Sequence, residues 1–276
     1  MTNRNDEVTW KKPLELFENG NIVKICAPMV RYSKLPFRML VRKYNCDLAF
    51  TPMIVSNSFI SSIKARDNEF TTCKEDRPLI VQFAADNAKD FADAAEIISP
   101  FADGVDLNCG CPQRWALQEG YGAALIKKPE LRAEHAGVSW ITIHGRTKEQ
   151  RSQPVNLEAI KIVKENTNIP IIANGDIKSV GDICMVQQET RVDGVMTARG
   201  LLQNPAMFAG YADTPLECVR DWVDMSILYG LPYQFFHNHL IYMLEKILPR
   251  LERRVFNALA STSAVVDYLR ENYDKC

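Results

Sequence analysis

Short runs of β-branched and aliphatic residues recur along the first two thirds of the chain, and between them apolar residues return every three or four positions. Short apolar runs bounded by Gly, Pro and Asn read as strands buried on both faces, and the longer spacing as amphipathic helices. The strands expected are NIVKICAPM (21–29), DLAFTPM (47–53), PLIVQFAA (78–85), GVDLN (104–108), SWITIHG (139–145), IPIIANG (169–175) and DGVMTARG (193–200). After the first, Ser33 is expected to cap a helix whose apolar face includes Leu35, Met39, Leu40 and Val41. Residues 57–63 read as a short helical or irregular connector, Asp86 as the cap of NAKDFADAAEIIS, and LEAIKIVKEN and SVGDICMVQQE as later helices. Strands alternating with helices mean βαβ units and a parallel sheet, so the expected fold is α/β, a TIM-type barrel over residues 1–211. From 212 to 276 the strand runs stop, and LECVRDWVDMSILYG, PYQFFHNHLIYMLEKIL and RLERRVFNALASTSAVVDYLREN predict a small helical bundle.

In such a barrel the loops after the strands converge on one rim, so chemistry belongs at strand C-termini. The residues there are Pro28-Met29-Val30, Pro52-Met53, Gln82, Asn108 to Pro112, His144-Gly145-Arg146, Asn174-Gly175-Asp176 and Ala198-Arg199-Gly200. Polar residues, glycine and proline replace aliphatics at almost every strand end, as a rim facing a polar ligand would require. The last two turns lie on adjacent late strands, where barrels hold phosphates with glycine amides and a cation, and Arg199 could supply the charge. In DLNCGCPQ (106–113) Gly110 frees the backbone and Pro112 stiffens the exit, so Cys111 can face a ligand instead of the core, a reading put ahead of a buried hydrophobe. Cys109 stays open between that and a small buried hydrophobe.

The net charge of −1 leaves no global signature for nucleic acid, so any such partner must be held by local patches. Eight cysteines without a CxxC pair, behind an N-terminus lacking an apolar h-region, read as reduced thiols of a cytoplasmic or nuclear protein. No apolar run approaches the ~18 residues of a membrane span. With four histidines and no ligand spacing among thiolates or carboxylates, no metal is expected. His237 and His239, two residues apart on a helix, point different ways. Tyr233, Phe235 and Phe236 read as core.

NCGCP after the fourth strand, APM after the first, VQFAA, ITIHGR, IIANGDI and the late ARG together resemble the dihydrouridine synthases, flavoproteins that reduce uridines of tRNA, and in particular the branch acting at positions 20a and 20b of the D-loop. The resemblance implies an FMN at the barrel rim, reduced by NADPH or NADH, that gives a hydride to C6 of a flipped-out uracil while Cys111 gives a proton to C5. It places Pro28, Met29, Val30, Gln82, His144, Asn174, Gly175, Asp176, Ala198 and Arg199 at the flavin and Asn108 near the uracil. The chemistry agrees with the residues, since a thiol with a pKa near ~8.5 is mostly protonated at neutral pH and can act as an acid without a metal. It also implies that the C-terminal helical region binds tRNA, for which Lys246, Arg250, Arg253 and Arg254 form a local basic patch. A monomer is expected.

The chain departs from the family between Leu107 and Ser139, where a helix, a strand ending in Lys-x-Arg and a further helix should lie. From Cys111 to Val138 the only apolar run is AALI, and Lys127 and Lys128 belong to a helix start. Seven of eight barrel strands are therefore expected, with roughly forty residues, one αβ unit, absent. Such a loss unpairs the edges of two strands and opens the core between them. Two other readings stand beside the tRNA reductase: a flavin barrel acting on a small molecule, and a shortened form that retains RNA binding alone.

Overall fold

The computed structural model describes residues 11–111, 118, 121–122, 137–147, 150 and 153–273. In chain order these form β1 (Val23–Cys26), α1 (Leu35–Lys43), β2 (Leu48–Phe50), β3 (Ile54–Val55), α2 (Ser56–Ser61), α3 (Ile63–Glu69), β4 (Leu79–Ala84), α4 (Ala88–Ile98) and β5 (Gly104–Leu107). They continue with β6 (Ile141–His144), α5 (Leu157–Glu165), β7 (Ile171–Asn174), α6 (Val180–Thr190), β8 (Gly194–Thr197) and α7 (Arg199–Gln203). Four helices close the chain: α8 (Leu216–Leu228), α9 (Tyr233–Met243), α10 (Arg250–Asn257) and α11 (Thr262–Tyr273).

All strand pairs are parallel, and β2 and β3 both run beside β4, so they are two pieces of one stave interrupted at Thr51-Pro52-Met53. The staves are ordered β6, β7, β8, β1, β2/β3, β4, β5. That makes the seven parallel staves of a half-barrel, with no pairing from β5 to β6 among the described residues. Among the described residues the sheet is thus interrupted between β5 and β6, where the sequence predicts a missing αβ unit. Burial follows the pairing: all six residues of β4 and all four of β8 are buried, whereas β5 and β6 have none.

The regular strands are shorter than the apolar runs because Pro28 and Pro52 have no N–H for the ladder. Arg199 and Gly200 begin a helix instead of ending a strand. Two caps differ from expectation. Ser33 does not cap α1, which starts after Lys34 with no side-chain cap; its Oγ instead accepts the Met29 N–H at 2.9 Å. Asn87, not Asp86, caps α4 by accepting the Asp90 N–H at 2.8 Å. The connector after β3 becomes two helices, α2 and α3. The last apolar stretch splits into α10 and α11, because Ser261 Oγ accepts the Ala264 N–H at 3.2 Å and starts a new helix. Pro112, Lys127 and Lys128 lie outside the described residues.

One hydrophobic core runs from the sheet into the C-terminal helices, taking in Ile25, Phe37, Leu48 and Val195 together with Trp222, Leu240, Phe256 and Val265. Phe37 of α1 meets Trp222 of α8 edge-on at 6.2 Å. The helices therefore lie against the β1 side of the sheet.

Candidate active site

Because every stave is parallel, the strand ends gather on one rim in three groups. The first follows β1. Met29 is buried and Val30 is 47% exposed, and Met29 O accepts the N–H groups of Tyr32 and Ser33 at 3.0 Å each. Beneath the loop Arg38, 1% exposed, donates to Ser33 O at 2.6 Å and from Nε and Nη2 to Asp76 Oδ2 at 3.0 and 2.7 Å. Arg42 reaches the other oxygen of Asp76 at 3.2 Å. Two arginines one helical turn apart on α1 thus neutralise one buried carboxylate, and the network clamps the loop. Their spacing was visible in the sequence; their shared partner was not.

The second group joins β4 to β5. Gln82 Nε2 donates to Asp106 Oδ2 at 2.6 Å, Asn108 Nδ2 donates to Gln82 Oε1 at 2.9 Å, and Asn108 Oδ1 accepts the N–H of Cys111 at 2.8 Å and of Gly110 at 3.2 Å. The order of these bonds follows from Asp106. A carboxylate can only accept, so it turns the amide nitrogen of Gln82 towards itself; Gln82 then offers oxygen to Asn108, and Asn108 offers oxygen to the Cys111 backbone. Burial raises the pKa of Asp106, opposed by the Gln82 hydrogen bond. Asp106 is the site residue that reading by strand ends missed, since it lies inside the strand.

Cys111 is partly buried, packed with Ala84 and Tyr121, while Cys109 is exposed, so the buried alternative for Cys109 does not hold. Gly122, at φ 60°, lies so close that a Cβ there would meet Cys111 O at 2.6 Å and Cys111 Cβ at 2.8 Å. Only glycine allows that backbone to cover Cys111.

The third group joins β6, β7 and β8. Arg146 makes a two-pronged ion pair with Asp176, one prong at 2.9 Å, and Arg199 Nη2 stands 3.7 Å from Asp176 Oδ1. The 174–176 and 198–199 turns are therefore neighbours, and the His144 ring borders Gly175, where a Cβ would lie 3.5 Å from His144 Cε1. Gly175 has φ 126°, which a side chain would strain, and its Cβ would strike Val155 Cγ2 at 2.9 Å. Arg146 holds the Asp176 carboxyl below its ordinary range, and partial desolvation, then Arg146, lowers His144. Asn174 Nδ2 lies 3.5 Å from Met196 Sδ, and Ala198 precedes α7.

The basic cluster of the tail is partly engaged: Lys246 lies 3.4 Å from Asp213 and Arg253 donates to Glu245 O at 3.1 Å, while Arg250 and Arg254 are exposed. Phe236 is buried as expected; Phe235 carries Lys34 Nζ 5.6 Å from its ring centre. Among the described residues no three His, Cys, Asp or Glu side chains could share a metal ion, and no helix is long and apolar enough to cross a membrane.

The chain matches the profile of the dihydrouridine synthase (Dus) family in two stretches, 25–134 and 131–257. It is 56% identical over 300 positions to a human tRNA-dihydrouridine(20a/20b) synthase [NAD(P)+]-like protein, covering 95% of this chain and 95% of that one. The tRNA-dihydrouridine(20a/20b) synthases of Schizosaccharomyces pombe and Saccharomyces cerevisiae are 40% and 38% identical, over 95% and 93% of this chain and 92% and 81% of theirs. Because 95% of 276 residues is about 262, about 38 of the 300 aligned positions face no residue here. The two profile stretches meet at 131–134, inside the interval where the sheet is open. The chain belongs to the dihydrouridine synthase family, on the branch of the (20a/20b) enzymes, with seven parallel staves of a barrel among its described residues.

Proposed function

We propose that this chain is an FMN-dependent tRNA-dihydrouridine synthase that reduces the C5–C6 bond of D-loop uridines of the 20a/20b type with NADPH or NADH. The observation that carries the reading is the chain of hydrogen bonds from Asp106 through Gln82 and Asn108 to the Cys111 backbone, on the rim that also holds the Asp176–Arg199 pair.

The β6 to β8 side fits a flavin phosphate. Arg199 is 74% exposed with one loose carboxylate contact, and Arg146 already neutralises Asp176, so the trio keeps one positive charge. At the end of β8 the buried Thr197 Oγ1 has no hydrogen-bond partner among the described residues. An exposed cation two residues after an unsatisfied hydroxyl, at one strand end, suits a phosphate. His144, Asn174, Gly175, Asp176, Ala198 and Arg199 would hold that end, and Pro28, Met29, Val30 and Gln82 the ring. When bound, FMN supplies hydride transfer to C6 of the uracil. Asn108 orients the base, and Cys111 delivers its thiol proton to C5, leaving a thiolate that solvent reprotonates. The target uridine must leave its stack to reach the rim, and the C-terminal helices grip the rest of the tRNA.

The test is to purify the chain, release its flavin by denaturation, and measure dihydrouridine by mass spectrometry after incubation with unmodified tRNA and NADPH. Cys111→Ala should keep the flavin and lose turnover by about 10²- to 10⁴-fold. A colourless protein that forms no dihydrouridine overturns the proposal. The β5 and β6 edges, without a partner strand among the described residues, favour one second reading, a shortened form that binds tRNA without reducing it; filter binding of tRNA without product distinguishes the two.

A further inference from the structure

We propose that His239, on α9 of the C-terminal helices, is a positioning residue for the rim loop after β1, so that the helices shape the reaction site as well as gripping RNA. Its ring is 1% exposed, stacked on Phe37 with centroids 4.5 Å apart, 4.3 Å from Trp222 and edge-on to Tyr32 at 5.3 Å. Nε2 lies 3.2 Å from the carbonyl oxygen of Tyr32. A carbonyl only accepts, so Nε2 carries the hydrogen and the ring is the neutral Nε2–H tautomer.

Packing does not account for a histidine in this place. Nδ1 is buried with no partner among the described residues, and an unpaired buried acceptor destabilises a fold. A phenylalanine would fill the same aromatic cage without that penalty. What histidine adds is the N–H to Tyr32. Tyr32 lies in the loop 28–33, closed from within by the Met29–Ser33 hydrogen bonds and from below by Arg38 on Ser33 O. Arg31, between Val30 and Tyr32, holds φ at 72°, a conformation non-glycine residues adopt only when their surroundings impose it. His239 and Tyr242, whose ring is 5.6 Å from that of Tyr32, hold the next residue, Tyr32, from the helical side. The consequence for flavin rests on the function proposed above, because Pro28, Met29 and Val30 are flavin contacts only on that reading. The geometric coupling does not.

The experiment compares the full chain with His239→Phe, which keeps the cage and removes the N–H, and His239→Gln, which carries an N–H donor at comparable reach. Each is titrated with FMN and followed by amide hydrogen exchange at Tyr32 and Ser33. His239→Phe should bind FMN about three- to ten-fold more weakly, the effect of one hydrogen bond, and exchange faster at both amides. Its melting temperature should stay close to the parent's, since one unpaired buried acceptor (Nδ1) is exchanged for another (Tyr32 O), and His239→Gln should restore affinity and protection. Parental affinity and exchange in His239→Phe overturn the proposal, as does a Gln variant that behaves like the Phe variant. If the parent takes up no FMN, the flavin reading falls, and exchange at Tyr32 and Ser33 alone decides the coupling.

Discussion

The two sides of this sheet differ more than two halves of one barrel should. Around β1, β8 and β7 each strand has neighbours on both edges, its residues are mostly buried, and a buried Arg38–Asp76–Arg42 network and the C-terminal helices back the rim loop. At β5 and β6 the outer ladders lack a partner among the described residues, Val105 is 36% exposed and His144 is exposed. The flavin-phosphate candidates lie largely on or near the first side, whereas Cys111 and Asn108 follow β5 on the second. On the function proposed above, the contrast separates holding a cofactor from completing the chemistry, since the sheet is interrupted, among the described residues, at the edge that presents Cys111.

The largest effect expected falls on the closed side. Arg38→Ala leaves Asp76, 0% exposed, with only Arg42 as a charged partner, and should cost about 3–5 kcal/mol in urea unfolding. A cost below about 1 kcal/mol would show that this network is not what holds the first side. Next, Ile172→Ala on β7, fully buried, should cost about 2–5 kcal/mol, and Val105→Ala on β5 less than about 1 kcal/mol. Equal costs would mean that the β5 edge is covered. Asp106→Ala leaves the Gln82 amide without its fixed acceptor, at about 1–3 kcal/mol, and lets Asn108 turn. Site-resolved alkylation should then report a changed rate at Cys111 and an unchanged one at Cys184, which is distant in sequence and exposed.

Acid should act through the closed side as well. Burial pushes His239 down to about 3, and His237 is also lowered; His144, on the open side, is lowered too. A histidine lowered in the fold is neutral there, while the unfolded chain takes up its proton below about 6.5. The stability present above that pH is lost as pH falls towards 3, by about 1.4 kcal/mol per pH unit for His239. Urea unfolding at pH 7, 6 and 5 should show this slope, and His239→Phe should flatten it. The smallest effect is Val105→Lys, within about 0.5 kcal/mol in stability, but it should reduce aggregation measured by light scattering by placing a charge on an open edge.

Much of the sheet was legible in the sequence. The runs VKIC, LIVQFA and GVMT are strands because all but Lys24 and Gln82 are β-branched, apolar or glycine, as buried parallel strands require. The missing unit was legible too, because a central strand cannot be built from a stretch whose only apolar run is AALI. Ser33 and Asp86 misled, since a serine or aspartate near a helix start can spend its side chain on the preceding loop or leave the cap to the next residue.

Sequence by itself determined the strand ends, the family and the residues with chemistry to offer, because residue type and local periodicity are properties of the chain. Only the tertiary structure decided which of these meet. That Asp106 orders Gln82, Asn108 and Cys111, that Arg146 neutralises Asp176 beside Arg199, and that His239 reaches Tyr32 across 207 residues are matters of distance in space. Hydrogen bonds and ion pairs act over a few ångströms, and no spacing along the chain encodes them.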